Sequence, residues 1–174
     1  MIVRGTITML AAIAGLATPA AAQKKAGDPI PYSEALELDA ERLAELGIVE
    51  VYDEIEPVIA SHGGKPDSLR EIIDKDSGHY AIEHRGIVYP VSGGAIDQYQ
   101  GWGNAAAVFF EIVNRQMAGS RYRLYALGHG NDMVGVFLTN EQFARAVALY
   151  ANTKNAPFVP TRDAPWFGLP HDGN

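Results

Sequence analysis

The chain of 174 residues contains no cysteine. A disulfide framework, a thiol nucleophile and a cysteine metal site are therefore excluded. A protein of this kind must be held together by side-chain packing. About 150 residues are enough to build one hydrophobic core without a crosslink or a structural metal.

Positive charge is scarce: 14 Lys and Arg stand against 21 Asp and Glu, which gives a formal net charge of −7. The basic residues are scattered and form no stripe along the sequence. Nucleic-acid binding depends on clustered cations that neutralise the phosphate backbone. We therefore expect no nucleic-acid partner and no attraction to an anionic lipid surface.

Long apolar runs are also lacking, except at the N-terminus. Arg4 precedes an apolar stretch over 7–17, and Ala20–Ala22 supplies the small side chains that a signal peptidase accepts. This pattern predicts a cleavable signal peptide over 1–22, with a periplasmic or secreted product. A retained anchor is the alternative, but the stretch is well short of the roughly 20 residues that cross a bilayer. After cleavage, no membrane span is expected.

The product would begin at Gln23 and contain 174 − 22 = 152 residues. Residues 23–32 are punctuated by proline, which predicts an extended leader. Helical spacing begins near Ser33, and Gly47 is a suitable residue to end this first helix.

A second apolar stripe over 51–59 predicts another helix, although Pro57 requires it to bend or to start late. A short strand over 48–52 is an alternative. Ser68 and Glu71 fit a capping box, which predicts a third, brief helix. We therefore expect two or three N-terminal helices.

Two β-hairpins follow, over about 79–91 and 121–138, each with glycine at its turn. Adjacent hairpins favour one antiparallel sheet with helices packed on one face. The sequence thus predicts an α+β fold, with a single domain over 33–155.

The most apolar helix is predicted over 105–117, with Asn104 as its N-cap. Because this helix has little polar surface, we expect it to form the centre of the core. Thr139 and Gln142 form another capping box before the last helix. The tail over 156–174 is rich in proline and aromatic residues, and we expect it to pack on the domain.

The loop between the strands of the second hairpin carries His129, Asn131 and Asp132 between glycines. His129 is a candidate general base that Asp132 would orient, and Asn131 is a candidate binding residue. Glycine, asparagine and aspartate are also typical of any tight turn, so turn formation alone is an alternative explanation.

A second candidate binding site is the glycine-rich loop that contains Tyr99 and Trp102. Aromatic and amide side chains together are typical of surfaces that hold sugars or peptides. Burial of the tryptophan as a loop anchor is the alternative.

Metal sites receive little support. His79 and Glu83 share one face of the first predicted hairpin, but His84 points to the other face. The segment 74–78 resembles the start of a calcium loop, yet it lacks the required glycine and glutamate positions. We expect neither a metal nor another cofactor.

No catalytic set is recognisable, whereas two hairpins and an aromatic loop offer a contact surface. The sequence therefore favours a non-enzymatic binding module, whose partner is an unidentified protein or envelope ligand. The alternative is a small hydrolase that uses His129 and Asp132.

Overall fold

The computed structural model describes residues 27–97, 100–151, 153 and 155–170. They form an α+β fold with two three-stranded antiparallel sheets. The predicted α+β class is confirmed. The predicted signal peptide over 1–22 lies outside the described residues.

The N-terminal part contains less helix than expected. After a short 3₁₀ turn at Tyr32–Glu34 comes strand β1 at Leu36–Glu37, and the first α-helical residues are α1, Ala40–Arg42. Asp39 caps this turn, because its Oδ1 accepts hydrogen bonds from two backbone N–H groups. The prediction of a helix from Ser33 is corrected, since Leu36–Glu37 pairs as a strand and the α-helix begins only at Ala40.

The chain kinks at Leu43–Gly47 before it enters α2, Ile48–Ser61. Leu46 has a φ of 67°. A Cβ on Gly47 would lie 2.4 Å from the carbonyl oxygen of Arg42, so only glycine fits there. The residue predicted to end the first helix thus lies at the kink.

The predicted third N-terminal helix is also wrong. Residues Arg70–Asp74 form strand β2, which pairs with β3, His79–His84. The capping box does not form: the N–H of Ser68 donates to Asp67, and Glu71 accepts a hydrogen bond from the hydroxyl of Tyr80. Strand pairing outweighed the local helix signal.

The two predicted hairpins form, but they do not share a sheet. In one sheet the order is β2-β3-β4, where β4 is Ile87–Ser92. In the other it is β1-β6-β5, where β5 is Tyr122–Leu127 and β6 is Val134–Thr139. The prediction of a single sheet is corrected, because each hairpin takes its third strand from the N-terminal part of the chain.

Helix α3, Gly101–Gln116, is the centre of the core, as predicted, and packs against both sheets. It begins before Asn104, so that residue is not the N-cap. Instead, the Asn104 amide donates to the carbonyl oxygens of Pro90 and Val91 at 3.0 and 2.7 Å. These bonds tie α3 to β4.

Helices do not cover one face only. The β1-β6-β5 sheet packs against α3 on one side, and its other side carries a second apolar cluster. There, α4 (Asn140–Leu149) stacks Phe143 on Tyr125 with ring centroids 4.2 Å apart. The predicted capping box of Thr139 and Gln142 is present.

After α4 the chain returns to the domain. Phe158 pairs with Ala126 beside β5, and the ring of Phe167 lies against Gly103 of α3. This places residues 159–162 beside the C-terminal half of α3. None of the helices among the described residues combines the length and apolar character needed to cross a membrane.

Candidate functional site

An open groove of about 540 Å³ lies between α3, the start of β5 and residues 159–162. Its lining includes three arginines and one glutamate: Arg115, Arg123, Arg162 and Glu111. We call it the arginine groove. Ala107 and Ala118 also line it, and their small side chains leave space along the helix.

The helix and the returning C-terminal segment position these charges. Glu111 and Arg115 are one turn apart on α3, so their side chains meet. Arg115 Nη2 lies 3.0 Å from Glu111 Oε1, and Arg162 Nη2 lies 3.5 Å from Glu111 Oε2. One carboxylate therefore sits between two guanidinium groups.

The groove is cationic although the protein is acidic. Three guanidinium groups and one carboxylate leave two net positive charges, whereas the whole chain carries −7. The side chains of Arg115 and Arg162 are 52% and 40% exposed. The groove can therefore attract an anion from solvent.

A buried hydroxyl lies beside this groove. The Tyr89 side chain is only 2% exposed, and its hydroxyl has no hydrogen-bond partner among the described residues. The guanidinium carbon of Arg115 is 5.9 Å from the centre of the Tyr89 ring. Burial raises the pKa of Tyr89, and the charges of Arg115 and Arg162 partly oppose this rise.

His129 and Asp132 lie on an exposed loop whose 3₁₀ turn, Gly130–Asp132, joins β5 to β6. Within the described parts of the chain, no hydrogen bond joins the imidazole of His129 to the carboxylate of Asp132. Asn131 donates to Glu41 Oε2 at 3.2 Å, which ties the loop to the residues around α1. A catalytic role for His129 and Asp132 stays a hypothesis.

Trp102 lies in the first turn of α3 and is 51% exposed. The alternative of a buried loop anchor is thus not observed for its side chain. Tyr99, the other predicted binding residue of this loop, lies outside the described residues.

His84 and Glu83 of the first predicted hairpin have different surroundings. His84 is 2% exposed, and its Nε2 lies 3.3 Å from the Gln116 amide nitrogen. Glu83, in contrast, is ion-paired with Arg70 at the surface. In the described ranges, no three His, Asp or Glu side chains come together as a potential metal site.

Sequence reasoning missed the arginine groove. The spacing of Glu111 and Arg115 was a local signal, because such pairs meet on a helix. Nothing local linked Arg123 and Arg162 to them, since these residues meet only after the C-terminal segment returns to α3. The scattered basic residues of the sequence are partly gathered by the fold.

The chain matches no protein family, and it shows no significant similarity to a curated protein or to a solved structure. The functional argument therefore depends on the geometry of the arginine groove.

Proposed function

We propose that this chain is an exported binding module that holds a negatively charged group of its ligand in the arginine groove. The partner is a protein or another envelope component that presents this group. The observation that carries the proposal is the presence of two net positive charges in an open groove of an otherwise acidic protein.

The chemistry of arginine supports a binding role. Guanidinium groups are planar, stay charged at physiological pH and donate in pairs to carboxylates and phosphates. The existing ion pairs with Glu111 are solvent-exposed, and exposed pairs contribute about 0–1 kcal/mol each. A ligand can therefore compete for these arginines at little cost.

The experiment is isothermal titration calorimetry at low salt, on protein recovered from the extracytoplasmic fraction. The probes are citrate, inorganic phosphate and a ten-residue polyglutamate peptide. At least one should bind with 1:1 stoichiometry, and the double variant Arg123→Gln/Arg162→Gln should lose that binding.

The matched control is Arg70→Gln/Arg85→Gln, which removes the same charge from exposed arginines that do not line the groove. Equal losses in both double variants, or no binding of any probe, would refute the proposed site.

The export half of the proposal has its own test. The mass of the recovered protein should correspond to a chain that starts at Gln23. The cytoplasmic fraction is analysed in parallel, and protein found only there, with residues 1–22 still attached, would contradict export.

A further inference from the structure

The guanidinium N–H groups of the three arginines differ in how many bonds they already form within the protein. Arg115 directs Nε and Nη2 to Glu111 Oε1, at 3.2 and 3.0 Å. Arg162 forms an ion pair with Glu111 but no hydrogen bond within the described part of the chain. Arg123 forms neither with any described residue. Two guanidinium groups therefore offer their N–H donors to a ligand.

The charge and donor number of the groove favour one kind of anion. A phosphate monoester carries about −1.5 to −2 at pH 7 and presents three strong acceptor oxygens. A single carboxylate carries one negative charge and two oxygens. Two net positive charges match the charge of the phosphate, and the guanidinium groups of Arg123 and Arg162, which form no hydrogen bond among the described residues, can donate to its oxygens.

We infer that the arginine groove receives a phosphate monoester, which Arg123 and Arg162 bind directly while Arg115 adds a third positive charge. This inference rests on the proposed function and specifies its ligand chemistry. A free small phosphomonoester and the headgroup of phosphatidic acid both present this chemistry.

Glu111 limits the affinity of the groove for such a ligand. Its carboxylate forms ion pairs with Arg115 and Arg162, and its negative charge repels any anion that binds nearby. The change Glu111→Gln removes this negative charge and keeps the side-chain size. It should tighten phosphomonoester binding several-fold.

The test titrates glycerol 3-phosphate, citrate and acetate into the recovered protein at one ionic strength. Glycerol 3-phosphate should bind more tightly than acetate, which presents a single carboxylate. Its affinity should fall at least tenfold in Arg123→Gln/Arg162→Gln and stay unchanged in Arg70→Gln/Arg85→Gln. Far-ultraviolet circular dichroism and thermal unfolding verify that each variant is folded.

A second arm distinguishes the two sources of the phosphate. The protein is floated with phosphatidylcholine vesicles that contain or lack phosphatidic acid. Groove-dependent flotation with phosphatidic acid, together with weak binding of glycerol 3-phosphate, identifies the lipid headgroup. The reverse result identifies a free phosphomonoester.

The failures of the two proposals differ. If citrate binds through Arg123 and Arg162 while neither phosphate probe does, the phosphate inference is wrong and the anion-binding function stands. If none of these anions and none of the probes of the proposed function binds, or if binding persists in Arg123→Gln/Arg162→Gln, both proposals fail.

Discussion

The ring of Phe167 lies directly against Gly103, so that a Cβ on residue 103 would come within 2.4 Å of the ring carbon Cγ. The contact fixes the C-terminal segment on α3. Because Arg162 belongs to this segment, the contact also helps to set the geometry of the arginine groove.

The change Gly103→Ala should therefore destabilise the protein, by about 1–3 kcal/mol as for other overpacked sites. The better helix propensity of alanine offsets part of this cost. Urea denaturation measures the effect. Phe167→Ala removes the clashing ring, so adding Gly103→Ala to it should cost little. Equal costs in both backgrounds would contradict the proposed clash.

The N-terminal segment is anchored by another pair of residues. The hydroxyl of Tyr150 donates to the carboxylate of Asp28, and that of Tyr32 donates to Tyr150 at 3.2 Å. Tyr150 is 2% exposed, and burial together with the bond to Asp28 raises its pKa.

We expect Tyr150→Phe to lower the free energy of unfolding by roughly 1.5–3 kcal/mol, since the bond to a charged group is lost. Urea denaturation provides the value, and limited proteolysis should show faster cleavage before β1. Tyr32→Phe, which loses the longer bond to the Tyr150 hydroxyl and keeps the bond between Tyr150 and Asp28, is the control. A larger effect of the control would indicate that Asp28 is not the anchor.

The stability of the protein should depend on His84 at mildly acidic pH. Burial, with a smaller contribution from the charge of Arg85, lowers the pKa of His84 below its usual 6.5. Between that lowered pKa and 6.5, the unfolded chain binds a proton that the folded chain does not. The contribution of neutral His84 to the free energy of unfolding is thus fully present above pH 6.5, and it is lost as the pH falls towards the pKa of His84 in the folded protein.

Urea unfolding at a series of pH values from 7.5 to 5 tests this dependence. His84→Gln should remove the His84 part of the slope, whereas His129→Ala should keep it because His129 is exposed. An unchanged slope in His84→Gln would assign the acid sensitivity to other groups.

The buried hydroxyl of Tyr89 has no partner among the described residues. Tyr89→Phe should therefore not destabilise the protein and should stabilise it by about 1 kcal/mol, because it removes an unsatisfied polar group. Chemical denaturation measures the change. Tyr52→Phe is the contrasting variant, since the Tyr52 hydroxyl bonds Gln116 and Asp67 and its loss should destabilise. A clear loss of stability in Tyr89→Phe would reveal a bonded hydroxyl.

Short-range patterns explain where the prediction succeeded. The capping box of Thr139 and Gln142 and the apolar character of α3 are local properties, and both have their predicted roles. The box of Ser68 and Glu71 fits the same local pattern, yet Glu71 lies in strand β2, which pairs with β3. Local signals cannot report the hydrogen bonds offered by a distant strand.

The candidate binding residues show the same limit. The composition of its loop predicts a binding role for Trp102, which is half-exposed at the start of α3. No local pattern predicts such a role for Arg123 or Arg162, because a single arginine carries no local sign of its neighbours in the fold. Their proximity depends on the pairing of Phe158 with Ala126 and on the contact of Phe167 with Gly103.

The α+β class, both hairpins and the central helix follow from local sequence patterns, because apolar periodicity and turn residues act over a few positions. The separation of the hairpins into two sheets and the meeting of three arginines in one groove appear only in the folded structure. Both outcomes depend on which distant segments bury the same apolar surface, and that choice is made by packing of the whole chain.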